Sequence, residues 1–258
     1  MKKLTAVLTL LIIGELCVFA QATDLFLLSL NARPLGLGRT TVANIYDSNS
    51  PFTNPASLGM LKIPEISTLY NNDKAFDSDY FFVAGAMPSN VGYNFGLGML
   101  SFGVYRLSIT SREPDTGRII EGATYNYFNQ IYTLACGKSF GSKISLGAGL
   151  NYFREGYSGT NIGDASGGSL NLGLLFQLNP HFRLGALAQN VISTGLNWTS
   201  GHKTELSRVN KLGLCYLPWE GMTLAADASW QVDYPALLHF GLEWWPIKKY
   251  IQLRGGLE

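Results

Sequence analysis

The fold of this chain is decided by the stretch Ile144-Ser145-Leu146-Gly147-Ala148-Gly149-Leu150-Asn151-Tyr152. Apolar residues alternate there with small or polar ones, and successive side chains of a β-strand point to opposite faces. The stretch therefore predicts a strand with one apolar face and one small, wettable face. Two structures accommodate such a strand: a soluble sheet, and a barrel wall that separates lipid outside from a polar lumen inside.

Similar alternation recurs through the 258 residues, which are poor in charge and rich in glycine. Charged residues make up 14% of the chain, against about 25% in ordinary soluble domains. Aromatic residues make up 12%, and there are 29 glycines, which suits a barrel with an apolar outer band. The formal net charge of +1 lacks the basic excess of nucleic-acid-binding proteins, and that class is set aside.

The N-terminus has the pattern of a secretory signal peptide. Two lysines precede an apolar core, and small residues allow cleavage after Ala20 or Ala22. A membrane anchor fits less well because the core is short and contains Glu15, and the residues before Cys17 match a lipidation site poorly. We therefore expect residues 1–20 to direct export.

Later in the chain no apolar run reaches about 18 residues, so no membrane-spanning helix is expected. A membrane location would then require a closed barrel, because lipid offers no hydrogen bonds to an open backbone. Cys136 and Cys215 remain after signal cleavage. An exported protein can form disulfides, but these residues occupy different phases of their strands, and we expect two free thiols.

The mature chain divides into an irregular segment, residues 21–63, and a strand-rich remainder, residues 64–258. Turn and capping residues dominate the first part, which predicts short helical turns near residues 39–46 and 55–60. About thirteen strands are predicted in the remainder, at residues 64–71, 79–88, 91–101, 102–112, 119–128, 130–139, 143–154, 167–178, 181–191, 208–217, 221–232, 236–245 and 249–257.

The connections between these strands alternate in length. Short turns at residues 141–142, 179–180 and 246–248 contrast with long polar links at 156–166 and 192–207, as in outer-membrane barrels. Aromatic residues near strand ends suit the two membrane interfaces. Four polar residues lie within strands, where a wet lumen would tolerate them: Asp227, Gln231, Glu243 and Arg254. The sequence therefore favours an all-β, antiparallel transmembrane barrel over a soluble sandwich.

An odd strand count conflicts with the even number found in single-chain bacterial barrels. The chain ends at Gly255-Gly256-Leu257-Glu258 without a terminal aromatic residue. We therefore expect that at least one closing C-terminal strand is missing. The alternative is that one strand has been divided or merged in the count.

Patterns that resemble catalytic motifs have a plainer interpretation. Residues 137–141 match the nucleophile elbow G-x-S-x-G, but that motif needs a strand-to-helix turn and here joins two strands. The three histidines are scattered, and the loop at residues 158–169 has too few acidic ligands for calcium. We predict no catalytic, cofactor or metal site.

The residues ahead of the first strand carry a family resemblance. A run from Ala32 to Ala43, an acidic turn at Asp47, and Asn54-Pro55-Ala56 follow one another. This arrangement resembles the N-terminal segment of PorV/PorQ-type proteins within the FadL-like outer-membrane β-barrels. The C-terminal half resembles the same family in four runs, at residues 211–214, 224–227, 239–244 and 253–256.

The resemblance implies a fourteen-stranded barrel, an even number as in other bacterial barrels, with residues 21–63 folded inward as a hatch. We expect Asn54, Pro55 and Ala56 to form a structural and gating motif of the hatch, in which Asn54 supplies hydrogen bonds that pin the hatch and Pro55 stiffens the turn. Some members let hydrophobic molecules cross the outer membrane, whereas PorV-type members hold cargo proteins for type IX secretion. This sequence departs from the family at Ser57, where glycine is frequent, and at the missing last strand.

We therefore expect a non-enzymatic outer-membrane barrel that passes or binds hydrophobic molecules and uses no cofactor. One alternative is a type IX secretion component that binds exported cargo through its long loops. The other is an exported soluble β-sandwich protein. The expected partners are outer-membrane lipid and either hydrophobic small molecules or secreted cargo, without nucleic acid, and no ligand-binding residues are identified.

Overall fold

The computed structural model describes residues 31–44, 47–113, 117–159, 163–232, 234–247 and 250–258. The predicted signal peptide, residues 1–20, lies outside these ranges. The described helices are both short: α1 (Ala32–Gly36) and the 3-10 helix Pro55–Met60. Neither of these helices has the length and apolar character needed to cross a membrane.

Within the described ranges thirteen strands follow the helices, and all pairings between them are antiparallel. They are β1 (Glu65–Asp73), β2 (Ser78–Met87), β3 (Asn94–Arg112), β4 (Ile119–Phe140), β5 (Ile144–Ser158), β6 (Gly163–Gln177), β7 (Phe182–Ser193), β8 (Leu196–Trp198), β9 (Lys203–Thr204), β10 (Val209–Tyr216), β11 (Met222–Gln231), β12 (Leu237–Ile247) and β13 (Ile251–Leu257). The wall runs in chain order from β1 to β7 and on through β10 to β13, while β8 pairs with β6 and β9. β1 and β13 are the two ends of this described order, and a further closing strand stays a prediction.

The number of strands agrees with the prediction, but their placement differs. Two pairs of neighbouring predicted strands are single long strands, β3 and β4, because polar residues such as Asn129 continue the ladder opposite Phe102. β5 and β6 extend into the predicted link at residues 156–166. The predicted link at residues 192–207 contains β8 and β9 instead of being an open loop.

The apolar face of β5 points outward and its small, polar face points inward. Leu150 and Tyr152 are 59% and 50% exposed, whereas Ser145 and Asn151 are 0% and 4% exposed. A soluble sheet has the opposite arrangement. The same orientation leaves an exposed apolar band on the other wall strands, including Leu97, Leu134, Leu172, Leu184, Leu212, Leu238 and Phe240. A band of this extent suits contact with lipid.

The sheet wraps around the N-terminal segment, and we call the described residues between 31 and 63 the plug. Ser48 bonds to Ser67 of β1, Pro55 lies against β4 and β5, and Gly38 lies against β13. A single segment that touches the wall from its first strand to its last must be encircled by it. The alternative of a β-sandwich is therefore wrong, because the strands form one curved sheet and not two facing ones.

The helical turns of the plug were predicted in part. The 3-10 helix Pro55–Met60 coincides with the turn predicted at residues 55–60. The other helix, α1, begins earlier than the turn predicted at residues 39–46, because the Asn31 side chain caps it by accepting from the Arg33 N–H at 3.1 Å. The described residues 39–44 form turns instead.

The plug approaches the wall closely because the facing residues are glycines. A Cβ added to Gly147 would collide with the backbone of Pro55 and Ala56, and one added to Gly185 would collide with the Val42 carbonyl. We call the wall glycines with such plug contacts the glycine belt: Gly96, Gly98, Gly137, Gly147, Gly173, Gly185, Gly213, Gly241 and Gly256. The belt allows backbone to pack on backbone, which larger residues would prevent.

Replacing Gly147 with alanine should displace the plug. The new methyl group would occupy the space of the Pro55 and Ala56 backbone, and overpacking of this kind costs about 1–3 kcal/mol. We expect a lower unfolding temperature by circular dichroism and faster limited proteolysis within residues 37–63.

The matched control is Gly85→Ala in β2, whose added Cβ would meet only the Glu65 carbonyl oxygen, at 3.8 Å. That variant should behave like the wild type. Equal protease resistance of the Gly147→Ala plug and the wild-type plug would contradict the tight fit.

Candidate functional site

The plug backbone is irregular, so the wall must satisfy the polar groups that a sheet or helix would pair. Asp227 of β11 supplies one carboxylate oxygen, Oδ2, which accepts from the backbone N–H of Thr41 at 2.6 Å and of Val42 at 3.0 Å. Ser145 of β5 donates to the Ala56 carbonyl at 2.5 Å. These bonds hold the plug by its backbone atoms, which are the same whatever side chains the plug carries.

Asn54 lies at the centre of the plug and is fully buried. Its Oδ1 accepts from the Ala56 N–H at 3.1 Å and so caps the 3-10 helix. Its Nδ2 donates to the Val42 carbonyl at 2.8 Å and reaches two wall carbonyls, of Leu174 at 3.2 Å and Ala186 at 3.4 Å. One side chain thus joins two parts of the plug to β6 and β7.

The structure brings the three residues of the predicted hatch motif together. Pro55 opens the 3-10 helix, a position where its missing N–H costs nothing. Its backbone lies against Gly137 and Gly147, and Ala56 packs against Leu175 and Cys215. These contacts fit a structural role, and the gating role of Asn54, Pro55 and Ala56 stays a prediction.

A charge network ties the plug to the last two strands. The Arg33 guanidinium contacts the Asp47 carboxylate at 3.0 Å and the Glu243 carboxylate of β12 at 3.1 Å. Arg254 of β13 reaches the same Glu243 at 2.9 Å. Burial disfavours the charge on Arg33, but the two carboxylates outweigh it and raise the pKa of Arg33 above its ordinary value.

The four polar residues that were predicted to face the lumen do lie on the inner face of the wall. Asp227 and Glu243 are buried on the inner face, and Arg254 pairs with Glu243 there. Gln231 lies on the same face of β11 as Asp227, four residues further on. The inner surface of β11 to β13 is therefore a polar sector, in which charged side chains face the plug.

The inner surface of β2 to β6 carries a group of apolar side chains beside uncharged polar ones such as Thr133 and Asn151. Phe52 of the plug packs there against Phe82, with ring centroids 5.5 Å apart. We call this group the lumenal apolar cluster: Phe52, Phe82, Ala84, Leu100, Ile131, Phe153, Ala165 and Leu196. The sequence analysis missed it, although runs such as Phe81-Phe82-Val83, which are apolar on both faces, carry its signal.

The hairpin formed by β8 and β9 covers this cluster on the side away from the short turn at residues 141–143. We call that side the loop end. Ala165 and Ser166 of β6 pair with Trp198 and Asn197, and the backbone of Gly195 fills the space beside Gly167. The hairpin thus contacts the cluster through Leu196 at the loop end, and the plug contacts it through Phe52.

The other residues considered in the sequence analysis have structural surroundings. Cys136 and Cys215 are both free thiols, as predicted. Ser139 of the G-x-S-x-G pattern lies inside β4 and donates to the Gly59 carbonyl of the plug at 2.7 Å. In the described ranges, no group of three or more histidine, cysteine, aspartate or glutamate residues could hold a metal ion.

The two functions of the Asn54 amide can be separated by substitution. Asn54→Asp keeps an oxygen for the Ala56 N–H but loses the donor to the Val42, Leu174 and Ala186 carbonyls. A buried carbonyl left without its partner costs about 1–3 kcal/mol. Hydrogen exchange should therefore speed up across residues 37–58 and stay unchanged in the wall strands.

The control for the added charge is Asn126→Asp, at a partly exposed position where the side-chain oxygen accepts from the Arg106 N–H. It should leave the exchange of the plug unchanged. Identical plug exchange in Asn54→Asp and the wild type would show that the wall carbonyls do not depend on this amide.

No protein-family model and no curated protein sequence matches the chain, but solved structures do. The toluene transporter TodX of Pseudomonas putida is 13% identical, with a TM-score of 0.60 over 86% of this chain and 81% of that one. The toluene transporter TbuX of Ralstonia pickettii is 15% identical, with a TM-score of 0.61 over 86% and 84%. A Pseudomonas aeruginosa FadL homologue is 12% identical, with a TM-score of 0.54 over 85% and 76%.

At these identities the likeness concerns the fold. It agrees with the outward apolar band, the single curved sheet and the plug, all of which were established from this chain alone. Two of these proteins are toluene transporters and the third is a FadL homologue. The chain therefore has the all-β, antiparallel transmembrane barrel fold of the FadL-like channels, and the finer PorV/PorQ resemblance stays a prediction.

Proposed function

We propose that this protein is a non-enzymatic outer-membrane barrel that binds hydrophobic small molecules and lets them pass. The observation that carries the proposal is the lumenal apolar cluster. Barrel lumens are ordinarily polar, because lipid already takes the apolar face of each strand. Here Phe82, Leu100 and Ile131 are fully buried on the inner face, which fits a path for apolar solutes.

The same cluster explains how such a solute could move without a large energetic cost. Phe52 of the plug and Leu196 of the hairpin now cover the apolar wall. An apolar solute that displaces them covers the same surface again, and each Å² of apolar surface removed from water contributes about 25 cal/mol of favourable free energy. The plug meanwhile keeps its charged contacts on the opposite, polar sector through Arg33 and Glu243.

The fold and the predicted leader support a solute class and a location for this proposal. TodX and TbuX are described as toluene transporters, so small uncharged hydrocarbons are the first solutes to test. The predicted signal peptide at residues 1–20 would carry the chain out of the cytoplasm. An outer membrane would then supply the lipid that the exposed apolar band requires.

Locking the hairpin onto β6 should block passage. Ser166 and Asn197 are paired residues of β6 and β8, and paired antiparallel Cα atoms lie within the range that a disulfide spans. We expect the double variant Ser166→Cys with Asn197→Cys, in a background with Cys136→Ala and Cys215→Ala, to lose most toluene uptake when oxidised. Short-time uptake of labelled toluene by bacteria carrying the protein measures this, and a reductant should restore it.

The control pair is Ser108→Cys with Thr124→Cys, which joins β3 and β4 at exposed paired positions away from the hairpin. Its oxidation should not change uptake. If the oxidised hairpin variant takes up toluene as fast as the reduced one, the route past the hairpin is wrong. If the wild type adds nothing to the uptake of cells without it, the transport function itself is wrong.

A second candidate rests on the resemblance of residues 32–61 to PorV/PorQ-type proteins. It is a type IX secretion component that holds exported protein cargo at the outer membrane. One of the two loop regions proposed to hold cargo, residues 192–207, is largely folded inward as the β8–β9 hairpin. Deletion of the gene decides this candidate, because exported proteins should then accumulate in the periplasm.

A further inference from the structure

A group of aromatic side chains lies beside one carboxylate at the loop end of the barrel. We call it the rim site, and its members are Tyr125, Tyr127, Glu155, Tyr157 and Trp198. The Tyr157 ring centroid lies 5.9 Å from that of Tyr125, 5.2 Å from that of Tyr127 and 6.2 Å from that of Trp198. The group stays partly exposed, in contrast to the lumenal apolar cluster.

Strand register brings these residues together on the inner face. Tyr127 of β4 pairs with Tyr157 of β5, and Glu155 of β5 pairs with Ala165 of β6. Ala165 in turn pairs with Trp198 of the hairpin. The small residue Ala165 therefore lies between the positions of Glu155 and Trp198 across the strands, and the aromatic residues come from β4, β5 and the hairpin.

Glu155 lies in this group without a positive charge of its own. The Tyr127 hydroxyl donates to Glu155 Oε1 at 2.9 Å, and the Asn129 amide donates to the Tyr127 oxygen at 3.2 Å. Across the described residues, no lysine, arginine or histidine forms an ion pair with Glu155. A half-buried carboxylate in aromatic surroundings is costly unless a cation compensates it.

The neighbouring arginine does not supply that cation. Arg154 points to the outer face, as successive residues of a strand must. Its guanidinium pairs there with the Asp164 carboxylate at 3.1 Å and lies 5.1 Å from the Phe128 ring centroid. The positive charge next to Glu155 in sequence is therefore committed to the other side of the wall.

We propose that the rim site binds organic cations that carry an apolar body, such as alkyl- or arylammonium ions. The carboxylate provides the opposite charge, and aromatic ring faces attract ammonium groups within about 6 Å. Phe153 lies two residues before Glu155 on the same inner face of β5 and belongs to the lumenal apolar cluster. An apolar body would reach that cluster while its cationic head stays at Glu155, so the inference rests on the proposed function and extends it to charged amphiphiles.

Binding of a matched pair of probes tests the proposal. Benzyltrimethylammonium and neopentylbenzene have the same shape and differ by one positive charge. We expect the wild-type protein in lipid nanodiscs to bind the cation about tenfold more tightly in equilibrium dialysis, the size of one desolvated cation–π contact. Glu155→Gln should abolish this preference.

Two further variants separate the site from general effects of mutation. Tyr157→Phe keeps the ring and should keep most of the preference, whereas Tyr157→Leu removes the ring and should reduce it. Glu121→Gln, an exposed glutamate in β4, is the matched control and should bind both probes like the wild type. Unfolding temperatures of all variants verify that they are folded.

Two outcomes would overturn the rim site. One is a wild-type protein that binds the neutral probe as tightly as the cation, and the other is a preference that survives Glu155→Gln. In either case measurable binding of neopentylbenzene would leave the proposed hydrophobic function standing. A cation preference in a protein that fails the toluene uptake test would support the rim site and contradict the proposed transport function.

Discussion

The structure depends on hydrogen bonds between the wall and an irregular backbone held in its lumen. A buried peptide group without a partner is costly, and the plug has little secondary structure to satisfy its own. Asp227 of the wall accepts from two successive N–H groups of the plug. Asn54 of the plug donates in turn to two carbonyls of the wall. The rest of the plug can pack against bare backbone because these few side chains fix its position.

The lumen is divided into two sectors with different chemistry. Charged groups on β11 to β13 hold one side of the plug through Arg33. Aromatic and aliphatic groups on β2 to β6 contact its other side through Phe52. Ionic contacts exchange poorly with an apolar solute, whereas apolar contacts are non-directional and can be replaced by any apolar surface. The proposed path for apolar solutes therefore runs along β2 to β6 and not along β11 to β13.

Local patterns predicted much of the fold and part of the site. The alternation around Ile144 gave the strand and its two faces, and the phase of Asp227 and Glu243 placed both in the lumen. The partners of Asn54 could not be predicted, because they lie 120 and 132 residues away in sequence and depend on strand register. The run Phe81-Phe82-Val83 signals an apolar position on the inner face, but the full lumenal apolar cluster was missed because its members come from separate strands and meet only when the sheet curls. The β8–β9 hairpin can fold inward because Gly167 has no side chain to collide with the Gly195 backbone. Nothing in the local sequence around Gly167 predicts this contact.

The glycine belt also determines what the lumen would be like without the plug. Glycine leaves the peptide groups of the wall uncovered, so the vacated bore would be both wide and lined by hydrated backbone. Water and small polar solutes would fill such a passage readily and would pass alongside apolar solutes without selection. The belt thus makes the plug the component that excludes water, and a selective route for apolar molecules requires that most of the plug remain in place during passage.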